Sequence, residues 1–263
     1  MTTEVATVGT SRTRRIGFHS AVVLSLALVV FGLGEVFYLG ILGWLGGSAL
    51  EQATEPGAGQ HLFHLLAHSL FAWLLLISLA VQLRHPERKF AASVFALAAT
   101  TTYSLGTLVS ATFDPLEAVA IILFIAVVWL SPGRERATTK PFHQRALLAS
   151  IPIVAGGIVL VVSEIDRQLS AFGSDQHAEF GHYSLIASIA AIVVLAALIG
   201  SSSLTGRGLI AGLAVGGLLY IGVASILYAE QTSSLGTAWG VAAIAAGLLY
   251  RWAAMAQQTT PTT

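Results

Sequence analysis

The feature that most restricts this chain is a series of eight long apolar runs. They cover residues 16–47, 60–83, 90–111, 115–132, 144–165, 177–200, 207–229 and 236–255. A helix needs about 20 apolar residues to cross a bilayer, and each run approaches or exceeds that length. Lipid offers no partners to backbone N–H and C=O groups, so a chain built from such runs is confined to helices. Turn-forming breaks separate the runs at Gly46-Gly47 through Gly59, His85-Pro86, Asp114-Pro115, Ser131-Pro132-Gly133, Gly173-Ser174, Ser201 to Gly206 and Gln231 to Gly236. Only 10% of the residues are charged, against roughly 25% in a soluble domain. The expected fold is an all-α integral membrane protein of eight transmembrane helices, lodged in the lipid bilayer of the cell (plasma) membrane.

Charge placement gives an orientation. Basic residues concentrate in cytoplasmic loops. With the N-terminus inside, Arg12, Arg14, Arg15, Arg84, Arg88, Lys89, Arg134, Arg136, Lys140, Arg145, Arg207 and Arg251 all fall inside, and only Arg167 falls outside. The acids Glu35, Glu51, Glu55, Asp114, Glu117, Glu164, Asp166, Asp175, Glu179 and Glu230 fall on the outer side. Both termini are then cytoplasmic. The run after Arg15 is too long for the core of a signal peptide, so a retained first helix is expected.

The chain also reads as two halves. Four crossings return it to its starting side, so a second set of four makes a parallel repeat about the membrane normal. Arg15 leads to Glu35 in the first run as Arg145 leads to Glu164 in the fifth; runs 2 and 6 both carry histidine at the outer end, and runs 3 and 7 carry Tyr103 and Tyr220. The expected organisation is a cytoplasmic segment 1–15, a first membrane half 16–133, a second membrane half 134–256 and a disordered tail 257–263. Gly208, Gly212 and Gly216, and likewise Gly40, Gly43 and Gly47, read as close-packing helix faces. Pro152 with Gly156-Gly157 reads as a kink.

Several functions are disfavoured. Net charge is zero, which gives no electrostatic footprint for nucleic acid. Cysteine is absent, so disulfides, thiolate metal sites and iron–sulfur clusters are excluded. The only lysines, Lys89 and Lys140, sit in loops, which leaves no intramembrane Schiff-base lysine for retinal. Neither a phosphate-binding glycine fingerprint nor His-Glu-x-x-His is present.

What remains is a set of ionisable residues at the outer ends of the runs. His61, His64 and His68 fall on one stripe of the second helix, within about 60° of each other. Asp175, Glu179 and His182 share a stripe at the mouth of the sixth. The orientation brings Glu35, His64, His68, Glu164, Glu179 and His182 to one depth. Imidazole and carboxylate suit divalent first-row metals, and intramembrane ionisable groups are functional candidates by default. These six are the expected metal ligands. Glu179-Phe180-Gly181-His182 has the Glu-x-x-His spacing of carboxylate-bridged di-metal bundles, whereas His64 to His68 departs from it. His61, His177, Asp175, Glu51 and Glu55 read instead as hydrated interfacial groups. Thr100, Ser104 and Thr107, beside Tyr103, form a polar stripe on the third helix, read mainly as interhelical hydrogen bonding. Asp114 and Glu117 complement the dipole of the fourth.

The leading expectation is thus a membrane protein with a copper, iron or zinc site in the outer half of the bilayer and a redox or metal-handling role, alone or with partner membrane subunits. One alternative is a haem b protein with His68 and His182 as axial ligands. Another is a proton-coupled small-solute transporter using Glu35.

Overall fold

The computed structural model describes residues 12–53, 61–136, 142–231 and 234–256, and among them every regular element is helical. Most of the N-terminal segment, the tail 257–263, Glu55 and Lys140 lie outside the described residues, as do the expectations attached to them. The helices are α1 (Arg12–Gly32), α2 (Gly34–Leu45), α3 (Gly47–Ala53), α4 (Leu62–Ala80), α5 (Phe90–Val109), α6 (Pro115–Leu130), α7 (Gln144–Ala171), α8 (Gln176–Glu179), α9 (His182–Ser201), α10 (Arg207–Leu227) and α11 (Gly236–Ala256).

Seven of these are long and apolar enough to cross a membrane: α1, α4 with its short extension to Leu83, α5, α7, α9, α10 and α11. α6 has 16 residues, about 24 Å of helix, somewhat short of the roughly 30 Å hydrocarbon core. Its start is sharply defined. Asp114 caps the helix by accepting from the Leu116 N–H at 2.8 Å, Glu117 reaches back to the Asp114 N–H, and Pro115 occupies the first turn where no N–H is needed.

The structure departs from the simple run pattern in two places that matter. The first run is not one helix: it breaks at Leu33 between α1 and α2, then turns at Gly46 (φ 104°) into α3. The sixth run is also divided. Gly181, at φ 72°, separates the single turn of α8 from α9.

α4 and α9 form the centre. They are the two most enclosed spans, with 72% and 61% of their apolar stretches buried, against 22% for α11. In the first half of the chain α1 and α2 pack on α4, α4 on α5, α5 on α6 and α6 back on α1. In the second half α7 packs on α9, α9 on α10, α10 on α11 and α11 back on α7. The halves meet through α5 against α9, α4 against α10, and α4 against α9.

Polar contacts between apolar helices lock this arrangement. The Tyr228 hydroxyl donates to the Gly43 carbonyl at 2.8 Å, Tyr250 donates to the Ala197 carbonyl at 2.7 Å, and Ser69 and Tyr220 share a 2.6 Å bond. Such interhelical bonds in lipid contribute about 0.6 kcal/mol each. Small residues allow the closest approaches: a Cβ on Gly222 would lie 2.8 Å from the Gly240 carbonyl oxygen. The expected glycine face on α10 is not the packed one. Gly212 and Gly216 have nothing within 4 Å of a Cβ position, while Gly217 and Gly222 face neighbouring helices.

Candidate metal centre

The mouths of α4 and α9 lie side by side, and four histidines converge there. His61 is the N-cap residue of α4, His64 lies in its first turn, His177 lies in α8, and His182 opens α9. One potential ligand atom from each lies within 4.8 Å of all the others. Ring centroids are 5.4 Å apart for His61–His177 and His64–His177, 5.6 Å for His61–His182 and His177–His182, and 6.0 Å for His61–His64. The sixth pair, His64–His182, is stacked at 3.8 Å.

These distances can be set against a real coordination sphere. With metal–nitrogen bonds of about 2.0–2.1 Å, a tetrahedral ion holds imidazole centroids about 5.2 Å from each other. Five of the six pairs are already near that value. Only the His64–His182 stack must open, and the widest pair of donor atoms must close by roughly 1.4 Å. His64 is buried and the other three are half-buried. The Nδ1 of His182 is buried without a hydrogen-bond partner, a condition rare in folded proteins unless water or an ion completes the site.

The histidines are positioned by a framework of buried polar contacts. Gln168, fully buried on α7, donates from Nε2 to the Ala178 carbonyl at 2.6 Å and accepts the Ser184 N–H at 3.2 Å. It thereby satisfies the Ser184 N–H left open in the first turn of α9 and adds a second donor to the Ala178 carbonyl, which also accepts the Gly181 N–H at 3.0 Å. The Gln231 side chain accepts the Phe63 N–H at 2.9 Å, which does the same for the start of α4. Asp175 caps α8: its Oδ1 accepts the His177 N–H at 2.9 Å and pairs with His177 Nδ1 at 3.0 Å. Its Oδ2 accepts the Tyr183 hydroxyl at 2.7 Å, and the Arg167 guanidinium lies 4.3 Å over the Tyr183 ring. The Tyr183 hydrogen bond, followed by those from His177, lowers the Asp175 pKa to about 2.

The expected ligands divide accordingly. His64 and His182 are brought together. His61 and His177, read from the sequence as hydrated interfacial groups, complete the cluster, and Asp175 supports it. His68, Glu35, Glu164 and Glu179 lie outside the four-histidine group. His68 is one turn deeper in α4, where its Nε2 meets the Tyr103 hydroxyl at 2.9 Å. Glu35 and Glu179 are exposed, and buried Glu164 pairs with Arg167 at 3.3 Å. His68 and His182, the pair considered for haem, both border a cavity of about 130 Å³, well below the roughly 300–1,000 Å³ of pockets for drug-sized ligands.

The fold and site together define a helical protein with seven potential membrane spans and a histidine cluster that can bind a metal ion. Comparison with protein families, with curated proteins and with solved structures returned no match.

Proposed function

We propose that this chain is a multi-pass membrane protein that holds one divalent transition-metal ion through His61, His64, His177 and His182, in a redox or metal-handling role. The observation that carries the reading is the convergence of four imidazole donors within 4.8 Å, in a region where burial makes an unoccupied polar cluster costly. Four neutral nitrogen ligands without thiolate suit copper or zinc best, with copper(II) binding most tightly among the first-row ions. Asp175 supports the site as the carboxylate partner of a ligating histidine, orienting His177 and raising its basicity.

The ion sits at the extracytoplasmic end of the bundle. Support comes from the charge pattern, which puts all basic residues but Arg167 on the opposite side. The eight-crossing, duplicated architecture belongs to the same reading, with α6 as a short crossing. It is supported by the matching neighbour order in the two halves, which makes α4 and α9 equivalent helices. The site then lies where the equivalent histidine-bearing ends meet.

Elemental analysis of the purified protein tests the proposal. About one copper or zinc per chain is expected, falling to near zero in the double variant His64→Ala/His182→Ala. A wild-type protein without stoichiometric metal after growth in copper- and zinc-supplemented medium contradicts it.

A further inference from the structure

Each helical bundle carries a partly open cavity, and the two differ in chemistry. The one in the second half, about 100 Å³, is lined by apolar groups such as Ile153, Ile189, Leu218 and Trp239. The one in the first half, about 280 Å³, lies between α1, α2, α4, α5 and α6 and has a polar wall of His68, Thr100, Tyr103, Asp114 and Glu117. Packing of a helical bundle does not by itself require such a wall, as the second cavity demonstrates.

Thr100 is the most telling residue. It is 4% exposed, borders the cavity, and its Oγ1 is buried with no hydrogen-bond partner. Ser69 and Ser78 on α4 instead bond back to the carbonyls of Leu66 and Leu75. Ser25 and Ser104 are also buried without a partner, but of the three only Thr100 lines the cavity. The cavity also borders the break between α1 and α2 at Gly32 and Leu33. Non-helical backbone at membrane depth is tolerated where it lines a cavity.

We infer that this cavity binds a membrane-dissolved ring compound bearing hydroxyl groups, of the quinol type. Size fits: the space is about twice the roughly 150 Å³ that holds benzene in an engineered core, enough for a substituted ring. Tyr103 and Phe71 lie flat on one another, 4.3 Å apart and 7° from parallel, and offer an aromatic wall. Asp114 and Glu117 supply hydrogen-bond acceptors for ligand hydroxyls, and neither lysine nor arginine lines the site to favour an anion. Leu28, Leu33 and Val36 give an apolar path beside the helix break for an alkyl or isoprenoid tail. The inference does not depend on the four histidines holding an ion.

The test is equilibrium binding of decyl-hydroquinone, kept reduced, to the full chain in detergent. Saturable uptake of one molecule per chain is expected, with the oxidised decyl-benzoquinone binding at least about fivefold more weakly because it cannot donate to the carboxylates. Thr100→Val should weaken the reduced compound about fivefold or more, Thr100→Ser should restore it, and Ala120→Phe, on the cavity wall, should abolish it. The same occupancy is expected before and after chelator treatment, which separates this result from the fate of the metal proposal. Uptake that only tracks the amount of detergent, equal binding of the oxidised form, or wild-type binding by Thr100→Val would overturn the inference.

Discussion

Nδ1 of His177 donates to Oδ1 of Asp175 at 3.0 Å, which leaves Nε2 as the ring nitrogen with a free lone pair. The carboxylate thus selects the tautomer and aims the ring. Oδ1 also accepts the His177 backbone N–H at 2.9 Å, so one oxygen fixes both ends of the residue.

Asp175→Asn should therefore preserve the fold and weaken the metal site. Loss of such a supporting carboxylate typically costs about 10–100-fold in metal affinity. Competition against a chelator of known affinity measures this, and unchanged affinity would mean that His177 is not a ligand.

Acid should release the ion. Imidazole binds metal only when neutral, so protons compete with the ion and affinity should fall on acidification. Asp175 cannot be the cause. Its pKa is depressed to about 2 by Tyr183 and His177, so its contribution is fully present above the ordinary carboxylate value of about 3.9 and is lost only as pH falls towards 2. The other charged groups nearby, Arg167 and Glu164, pair with each other. Titrating each side of oriented vesicles separately should show metal loss only when the extracytoplasmic side is acidified.

Gly181 is predicted to be the most sensitive backbone position near the site. It adopts φ 72°, and a Cβ there would lie 2.7 Å from Ser110 Oγ and 2.9 Å from its Cβ. Gly173 has a similar φ of 79° but open space around it. Gly173→Ala should cost about 1–2 kcal/mol from left-handed strain alone. Gly181→Ala should cost more, by about 1–3 kcal/mol of overpacking, and should lose metal. Thermal unfolding of the two variants separates strain from contact.

The same glycine explains why only part of the site was legible in the sequence. On an unbroken helix, His177 and His182 stand about 140° apart and Glu179 shares a face with His182. The turn at Gly181 resets the phase, so His177 swings in beside His182 while Glu179 points away, exposed. Asp175 as an N-cap before a glycine was the available signal for that break. On α4, which is continuous, periodicity placed His61, His64 and His68 on one stripe, yet only the first two join the four-histidine group. The depth of a neighbour is a tertiary fact, and here Tyr103 on α5 takes His68 instead. Helical class was legible because hydropathy alone determines it, and seven of the eight apolar runs contain a helix long and apolar enough to cross a membrane, whereas the break at Leu33 inside an apolar run carries no hydropathy signal.

Gln168 gives a prediction about positioning. Gln168→Ala would leave the Ser184 N–H buried without its partner, at about 1–3 kcal/mol, and would take one of two donors from the Ala178 carbonyl, which keeps the Gly181 N–H. A lower unfolding temperature and weaker metal binding should appear together. A variant that loses stability but binds metal as tightly as wild type would mean that α8 does not need this anchor.

X-ray absorption spectroscopy of the metal-loaded protein tests the central claim most directly. The account predicts four nitrogen neighbours, at about 2.0–2.1 Å for zinc, with the outer-shell scattering of imidazole rings, reduced by one ring in His177→Ala. A first shell dominated by oxygen, or one unchanged by replacing any of the four histidines, would contradict it.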